Sequence, residues 1–531
     1  MRTKANVCLL LAGALVVAGC TKPGETRGNT SSTPQHGGQL IVLDDSSFSG
    51  SWPSGLDPAT NTTGGGNLTQ MSAVYGGLFR LVAADDGSNA KVEPYQADSY
   101  TFADGAKTVR IKIKPGIKFT DGTPFDAAAV AFNIKRDMQA TCTCKPMWQL
   151  ADQNPITTEG SDTVVLKFKN PNASAINSFV VSNVNWIASP AAVQQMGDNF
   201  RIKPVGAGPF KVVSDQLSSE LVLERNPNYF VPDRPYLDRL IVRSIGGDQP
   251  AYQALLAGQG QVYEGMTTIP LLEQAKSNSQ LVVTQQPATS PYVIQLNTKI
   301  PPFNDIRARE AIYYATDVEA IRKGLFKDAY PASQTFTAPG GLFYHATIPG
   351  YRTYDLDKAK AIVQQLGGLT VDLGTLSAYV ADQVDTALQT QWQAAGIKVK
   401  IHSDQLNGLV QNFTGGKWQA MLQTAGAWDP AVGVGVGFRF GTTSPFSGIS
   451  DKTIDDLLQQ ATQTTDAATR DALYLQVGQR ISDQAYAPFI LAFAPASVVT
   501  KNVYGPGLTT LIPPVVVNTG ILWADVWMSQ T

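Results

Sequence analysis

Two hydrophobic periods take turns along the chain. In TVRIKIKPGIKFTDGTPFDAAAVAFNIKRDM, Val109, Ile111 and Ile113 alternate with Arg110, Lys112 and Lys114, which predicts a strand with one buried face. Pro115-Gly116 and Asp121-Gly122 are turn pairs, and Asp126 is placed to cap a helix whose Val130, Ile134 and Met138 repeat every four positions. In YDLDKAKAIVQQLGG the period is again helical: Ala359, Ile362, Val363 and Leu366 share a face, and Gly367 suits a left-handed helix end. A third helix carries Val384, Ala387, Leu388 and Gln391 on one face, stops at Gly396, and gives way to a strand in which Ile397, Val399 and Ile401 alternate. Short strands alternating with helices, and no internal repeat, predict an α/β protein.

The first residues follow neither period. Arg2 and Lys4 precede an apolar run, Val7 to Val17, which is shorter than the ~20 residues of a spanning helix. Val17-Ala18-Gly19-Cys20 follows at once, so the segment reads as a secretory signal ending at a bacterial lipobox, with Cys20 acylated. Residues 21–38 are rich in Gly, Pro, Ser and Thr and nearly devoid of apolar side chains, the composition of a flexible tether from lipid to folded domain. No later stretch is long and apolar enough to span a bilayer, so the expected location is the extracytoplasmic face of the cell membrane, held by lipid only.

Composition narrows the function. The chain has 531 residues, too many for one core, which predicts two or three lobes. Its charges are dispersed and sum to −2, with no basic run, which argues against a nucleic-acid partner. Of four cysteines, Cys8 leaves with the signal and Cys20 takes the lipid; Cys142 and Cys144 then form a small strained disulfide, bind a soft metal, or stay reduced in a loop. With three histidines scattered over the sequence, no metal site and no cofactor are expected.

Catalytic motifs fail on inspection. Ser88-Asn89-Ala90-Lys91 has the S-x-x-K spacing of exported serine hydrolases, but it falls in a turn and Lys107-Thr108-Val109 is not a K-T-G. Gly415-Gly416-Lys417 lacks the remainder of a phosphate-binding loop, and there is no G-x-S-x-G or H-E-x-x-H. No enzyme is expected.

Seven blocks, in order, resemble one family. Leu56-Asp57-Pro58, Tyr75-Gly76-Gly77-Leu78-Phe79, IKIKPGIKFTDGTPFDAAAVAFNIKR, GAGPFKV, LERNPNYFVPDRPYLDRL, PPFNDIRAREAIYYATD and YDLDKAKAIV are similar to blocks of the family 5 extracellular solute-binding proteins of ABC importers, the peptide and nickel type. The resemblance implies a periplasmic-binding-protein-like α/β clamp with two main lobes and an inserted third. It places lobe I at 38–78, 201–283 and 495–531, lobe II at 79–200 and lobe III at 284–494, after the signal at 1–19 and the tether at 20–37. It further implies a monomer that closes on a peptide-like or other organic solute and presents it to a permease and its ATPase. A second role on the same fold is that of a scaffold or regulatory lipoprotein in envelope synthesis.

The family's ligand loop corresponds to MLQTAGAWDP. Peptide-binding members hold the ligand's ammonium with an Asp four residues before the Pro, a position filled here by Gly426; no acid occurs from Lys417 to Trp428. Asp429 either replaces that anchor or is a pre-proline turn residue, and Trp428 is either an apolar ligand contact or core. Arg439, between two phenylalanines, pairs with an anionic group or is a surface charge. Tyr292 and Asn297, on a strand resembling one that borders the cleft, and Tyr75 complete the candidate ligand contacts.

Overall fold

A computed structural model of the chain describes residues 33–46, 52–61, 67–83, 90–140, 148–285, 291–339, 341–376, 379–404, 406–424, 437, 439–444, 447–492, 495–506, 508 and 522–529. Three sheets organise them. The first has seven strands in the spatial order Leu281–Gln285, Ala496–Thr500, Val262–Met266, Gln39–Asp45, Arg239–Ile245, Glu220–Arg225, Phe210–Gln216. Strands from three remote stretches of sequence therefore share one sheet. Gln39–Asp45 sits in its middle and runs parallel to both neighbours, Arg239–Ile245 and Val262–Met266, while the other pairings are antiparallel.

The second sheet is a four-stranded antiparallel one, Ala97–Ala103, Thr108–Ile113, Thr163–Lys167, Ile156–Glu159. Its Val109, Ile111 and Ile113 are buried as their alternation predicts, and they pack on the helix Ala127–Gln139 through Val130 and Ile134. The Asp126 side chain accepts from the Ala129 N–H (2.9 Å), so this helix starts where its cap dictates.

The third sheet has the order Ile397–Asp404, Leu369–Leu376, Ala420–Thr424, Pro291–Leu296, Phe489–Ala492. Leu369–Leu376 is parallel to both of its neighbours, and Pro291–Leu296 runs against Ala420–Thr424. The helix Leu356–Gln365 ends before Gly367, whose φ of 75° no β-carbon tolerates cheaply. The helix Tyr379–Ala394 covers one face of this sheet, and its Trp392 is fully buried and donates to the Thr316 hydroxyl (3.0 Å). One apolar cluster runs from Leu43 and Tyr263 of the first sheet through Tyr292 and Ile294 to Trp392, so the first and third sheets share a core. Among the described residues no helix is long and apolar enough to cross a membrane.

Candidate ligand-binding site

Open α/β sheets bind ligands beyond the carboxyl ends of their parallel strands, above all where neighbouring connections leave in opposite directions. The first and third sheets each have such an end.

In the first, Gln39–Asp45 finishes in two acids, with Glu264 on the neighbouring strand. Gln70 Nε2 donates to Asp44 Oδ2 (3.2 Å) and the Thr69 hydroxyl to Glu264 Oε1 (3.4 Å), both from the helix Leu68–Tyr75. Burial, and then the charge of Asp44, push the Glu264 carboxyl up to about 8. Asp248 beside them serves the architecture, accepting from the Tyr263 hydroxyl (2.7 Å) and from the N–H groups of Thr267 (2.9 Å) and Thr268 (2.7 Å).

In the third sheet the corresponding end is formed by Thr375, Leu376 and Thr424, with Tyr292 in register opposite Thr424. Tyr292 is buried, and burial followed by the nearby Asp385 carboxylate raises its hydroxyl pKa. Asp385 lies on the helix Tyr379–Ala394 and is also buried.

The sequence candidates do not converge on one place. Asn297 lies on the same segment as Tyr292 but past the opposite end of the strand: its N–H donates to the Gln419 carbonyl (2.8 Å) and its Oδ1 accepts from Lys299 N–H (3.2 Å). Five residues of strand separate the two by ~17 Å. Asn297 thus shapes a turn, while Tyr292 reaches the carboxyl ends. Tyr75 is fully buried and its hydroxyl donates to the Leu56 carbonyl (2.7 Å), a bond that locks the segment after the first strand. Arg439 is 8% exposed, which rules out the surface-charge alternative; burial lowers its pKa to about 10. Its carbonyl accepts from Gln295 Nε2 (2.5 Å), whose side chain leaves the strand on the face opposite Tyr292. Gly426, Trp428, Asp429, Cys20, Cys142 and Cys144 lie outside the described residues.

Sequence reading missed Asp385. The signal was present: Ala381, Asp385, Leu388 and Trp392 recur at i, i+4, i+7 and i+11, so the acid occupies the apolar stripe of its helix.

Residues 91–444 match the bacterial extracellular solute-binding proteins, family 5 Middle. The chain belongs to this family. Family 5 proteins bind solutes and are not enzymes. Among curated relatives of this family 5 protein, the glutathione-binding protein GsiB of Escherichia coli (strain K12) is 28% identical over 433 residues, covering 75% of this chain and 79% of its own. Among solved structures, DppA from Helicobacter pylori in complex with peptide STSA superimposes with a TM-score of 0.76 at 20% identity, covering 93% of this chain and 99% of its own. The dipeptide binding protein from Pseudoalteromonas sp. SM9913 in complex with Met-Leu gives a TM-score of 0.77 at 18% identity, covering 93% and 100%. The fold is that of the type II periplasmic peptide-binding proteins.

Proposed function

We propose that this family 5 protein captures a small peptide-like solute bearing an amino group, outside the cytoplasmic membrane, and hands it to the permease of an ABC importer. Family membership across residues 91–444 carries the reading, and the glutathione-binding relatives narrow the solute class to small peptide-like molecules. Tyr292 on the third sheet, and Trp428 and Asp429 in the sequence that follows Thr424, are the proposed contacts. Acylation at Cys20 is the proposed tether. It keeps the loaded protein at high effective concentration beside its permease. Closure requires that the solute touch both sides of the cleft, because a ligand shifts a conformational equilibrium only by its differential affinity.

The test is native mass spectrometry of the purified protein, with release and identification of any co-purifying molecule, followed by melting in the presence of glutathione and of di- and tripeptides. A ligand at a hundred times its Kd adds ~2.7 kcal/mol of stability. An empty protein whose melting temperature stays fixed across the series would reject the reading. Cys20→Ser tests the tether separately: the variant is expected to leave the membrane fraction without unfolding.

A further inference from the structure

The helix Tyr379–Ala394 buries Ala381, Val384, Leu388 and Trp392 against the third sheet. Asp385 lies on that stripe, 2% exposed, and neither of its carboxylate oxygens has a partner at good hydrogen-bond geometry among the described residues, the Thr375 hydroxyl being the one donor near it. An ionised carboxylate removed from water without a donor is strongly unfavourable, and one that serves packing alone is replaceable by an apolar residue of similar size.

Its surroundings fix where it is. Thr375, next to last in the strand Leu369–Leu376, is adjacent and its hydroxyl partly offsets the effect of burial on Asp385, though that hydroxyl also reaches the Leu376 carbonyl (3.4 Å). Tyr292 on Pro291–Leu296 is near enough to feel its charge, and Asp382 lies three residues earlier on its own helix. Thr375 and Tyr292 stand at the carboxyl end of the parallel strands, the end at which such sheets take ligands. A buried carboxylate with no cationic partner among the described residues, and with the Thr375 hydroxyl as its one neighbouring donor, is thus held at the ligand end of the sheet.

Resting on the peptide-like solute reading above, we propose that Asp385 anchors the ammonium group of the bound solute. An ammonium supplies both the opposite charge and three N–H donors, which is what the carboxylate lacks. The sequence has no acid from Lys417 to Trp428, and Asp429, which follows, lies outside the described residues. Burial raises the Asp385 pKa to about 7, with Asp382 adding to the rise, so the empty site is partly protonated at neutral pH and cation binding displaces that proton.

The experiment is calorimetric titration of the full chain and of Asp385→Asn, with glutathione and Ala-Ala-Ala as probes, each with a free and an N-acetylated amino group. For the wild type, the free-amino form is expected to bind at least tenfold more tightly than the acetylated form, with affinity rising between pH 6 and 8. D385N is expected to bind the free-amino form at least tenfold more weakly, with no rise over that interval. Equal binding by wild type and D385N would overturn the anchor and leave the solute reading standing. If the wild type binds none of the probes, the solute reading and the anchor fall together. Should D385N not fold, as judged by its melting, the comparison of free and acetylated probes on the wild type decides: equal affinities overturn the proposal.

Discussion

Replacing Arg136 by Met should loosen two remote segments at once. Both terminal nitrogens of Arg136, on the helix Ala127–Gln139, donate to the two carboxylate oxygens of Asp57 in the segment after the first strand. The Asp57 side chain is 5% exposed and that of Arg136 is 24% exposed. In R136M, Asp57 keeps only the Ala59 N–H (3.1 Å) as a side-chain donor among the described residues and remains buried. Arg136 also opposes the rise that burial imposes on the neighbouring Asp137 carboxyl. Removing one partner of a buried pair costs about 3–5 kcal/mol, and because water reaches Arg136 the lower end applies, about 3 kcal/mol. With 1.4 kcal/mol per factor of ten, local opening becomes roughly a hundred times more frequent. A chain of several lobes does not unfold in two states, so the assay is amide hydrogen exchange read on peptides covering 52–61 and 127–139. The double variant D57N/R136M should recover much of the protection, since a pair removed together leaves no orphan charge. Less than a threefold change in R136M, or strictly additive losses in the double variant, would refute the reasoning.

Three further outcomes are expected. Asp451 caps the helix Lys452–Gln463 and accepts from Thr453 N–H (2.9 Å), Arg480 Nε (2.8 Å) and the Tyr486 hydroxyl (2.8 Å). Burial raises its pKa, but these bonds outweigh burial and hold it below the usual range, so its stabilisation is present above pH ~4 and is lost as pH falls through the folded value; D451N should cost about 2 kcal/mol at pH 7 and little near pH 2, measured by melting. Glu264, with its pKa raised to about 8, acts in the opposite sense: its contribution is intact below pH ~4.3 and fades as pH rises towards 8, so E264Q should melt above the wild type at pH 8 and beside it at pH 4. A β-carbon on Gly374 would meet Trp418 Cε3 at 2.2 Å, and the Trp418 ring is stacked on His402 (5.3 Å between centroids), so G374A should lose roughly 1–3 kcal/mol in urea unfolding and red-shift tryptophan emission.

Local pattern carried the elements. The alternation at Val109–Ile113 and the cap at Asp126 both lie within a few residues of what they specify, and both stand in the structure as the pattern predicts. Asn297 and Tyr292 fail as a pair for the opposite reason. A strand's period says which side chains share a face, but its direction against its neighbours is set by residues more than a hundred positions away, here Ala420–Thr424. Two residues of one segment therefore read as one site while standing at opposite ends of the strand. Arg439 is ambiguous in sequence because the burial of a cation depends on tertiary packing around Gln295 and Ser447, which local sequence does not contain. The helical face marked by Val384, Ala387, Leu388 and Gln391 was displaced slightly: Gln391 pairs instead with the Asp317 backbone, accepting at 2.9 Å and donating at 3.0 Å, and the deepest positions fall on the Asp385 side.

That displacement bears on function. A protein selected for stability alone has little use for an acid on the apolar stripe at Asp385, nor for a Glu264 carboxyl raised to about 8 beside Asp44. Each destabilises the empty protein near neutral pH, and each stands at the carboxyl end of a sheet whose parallel strands point to it. Residues that lower stability concentrate where binding or catalysis requires them, because the unfavourable term is relieved only when the ligand arrives. On the anchor proposed above, a solute with an ammonium group relieves it at Asp385, whereas an anion aggravates it there. If Asp385 anchors the solute as proposed, the gain in stability on binding should be larger for a free-amino solute than its contacts with neutral groups alone provide.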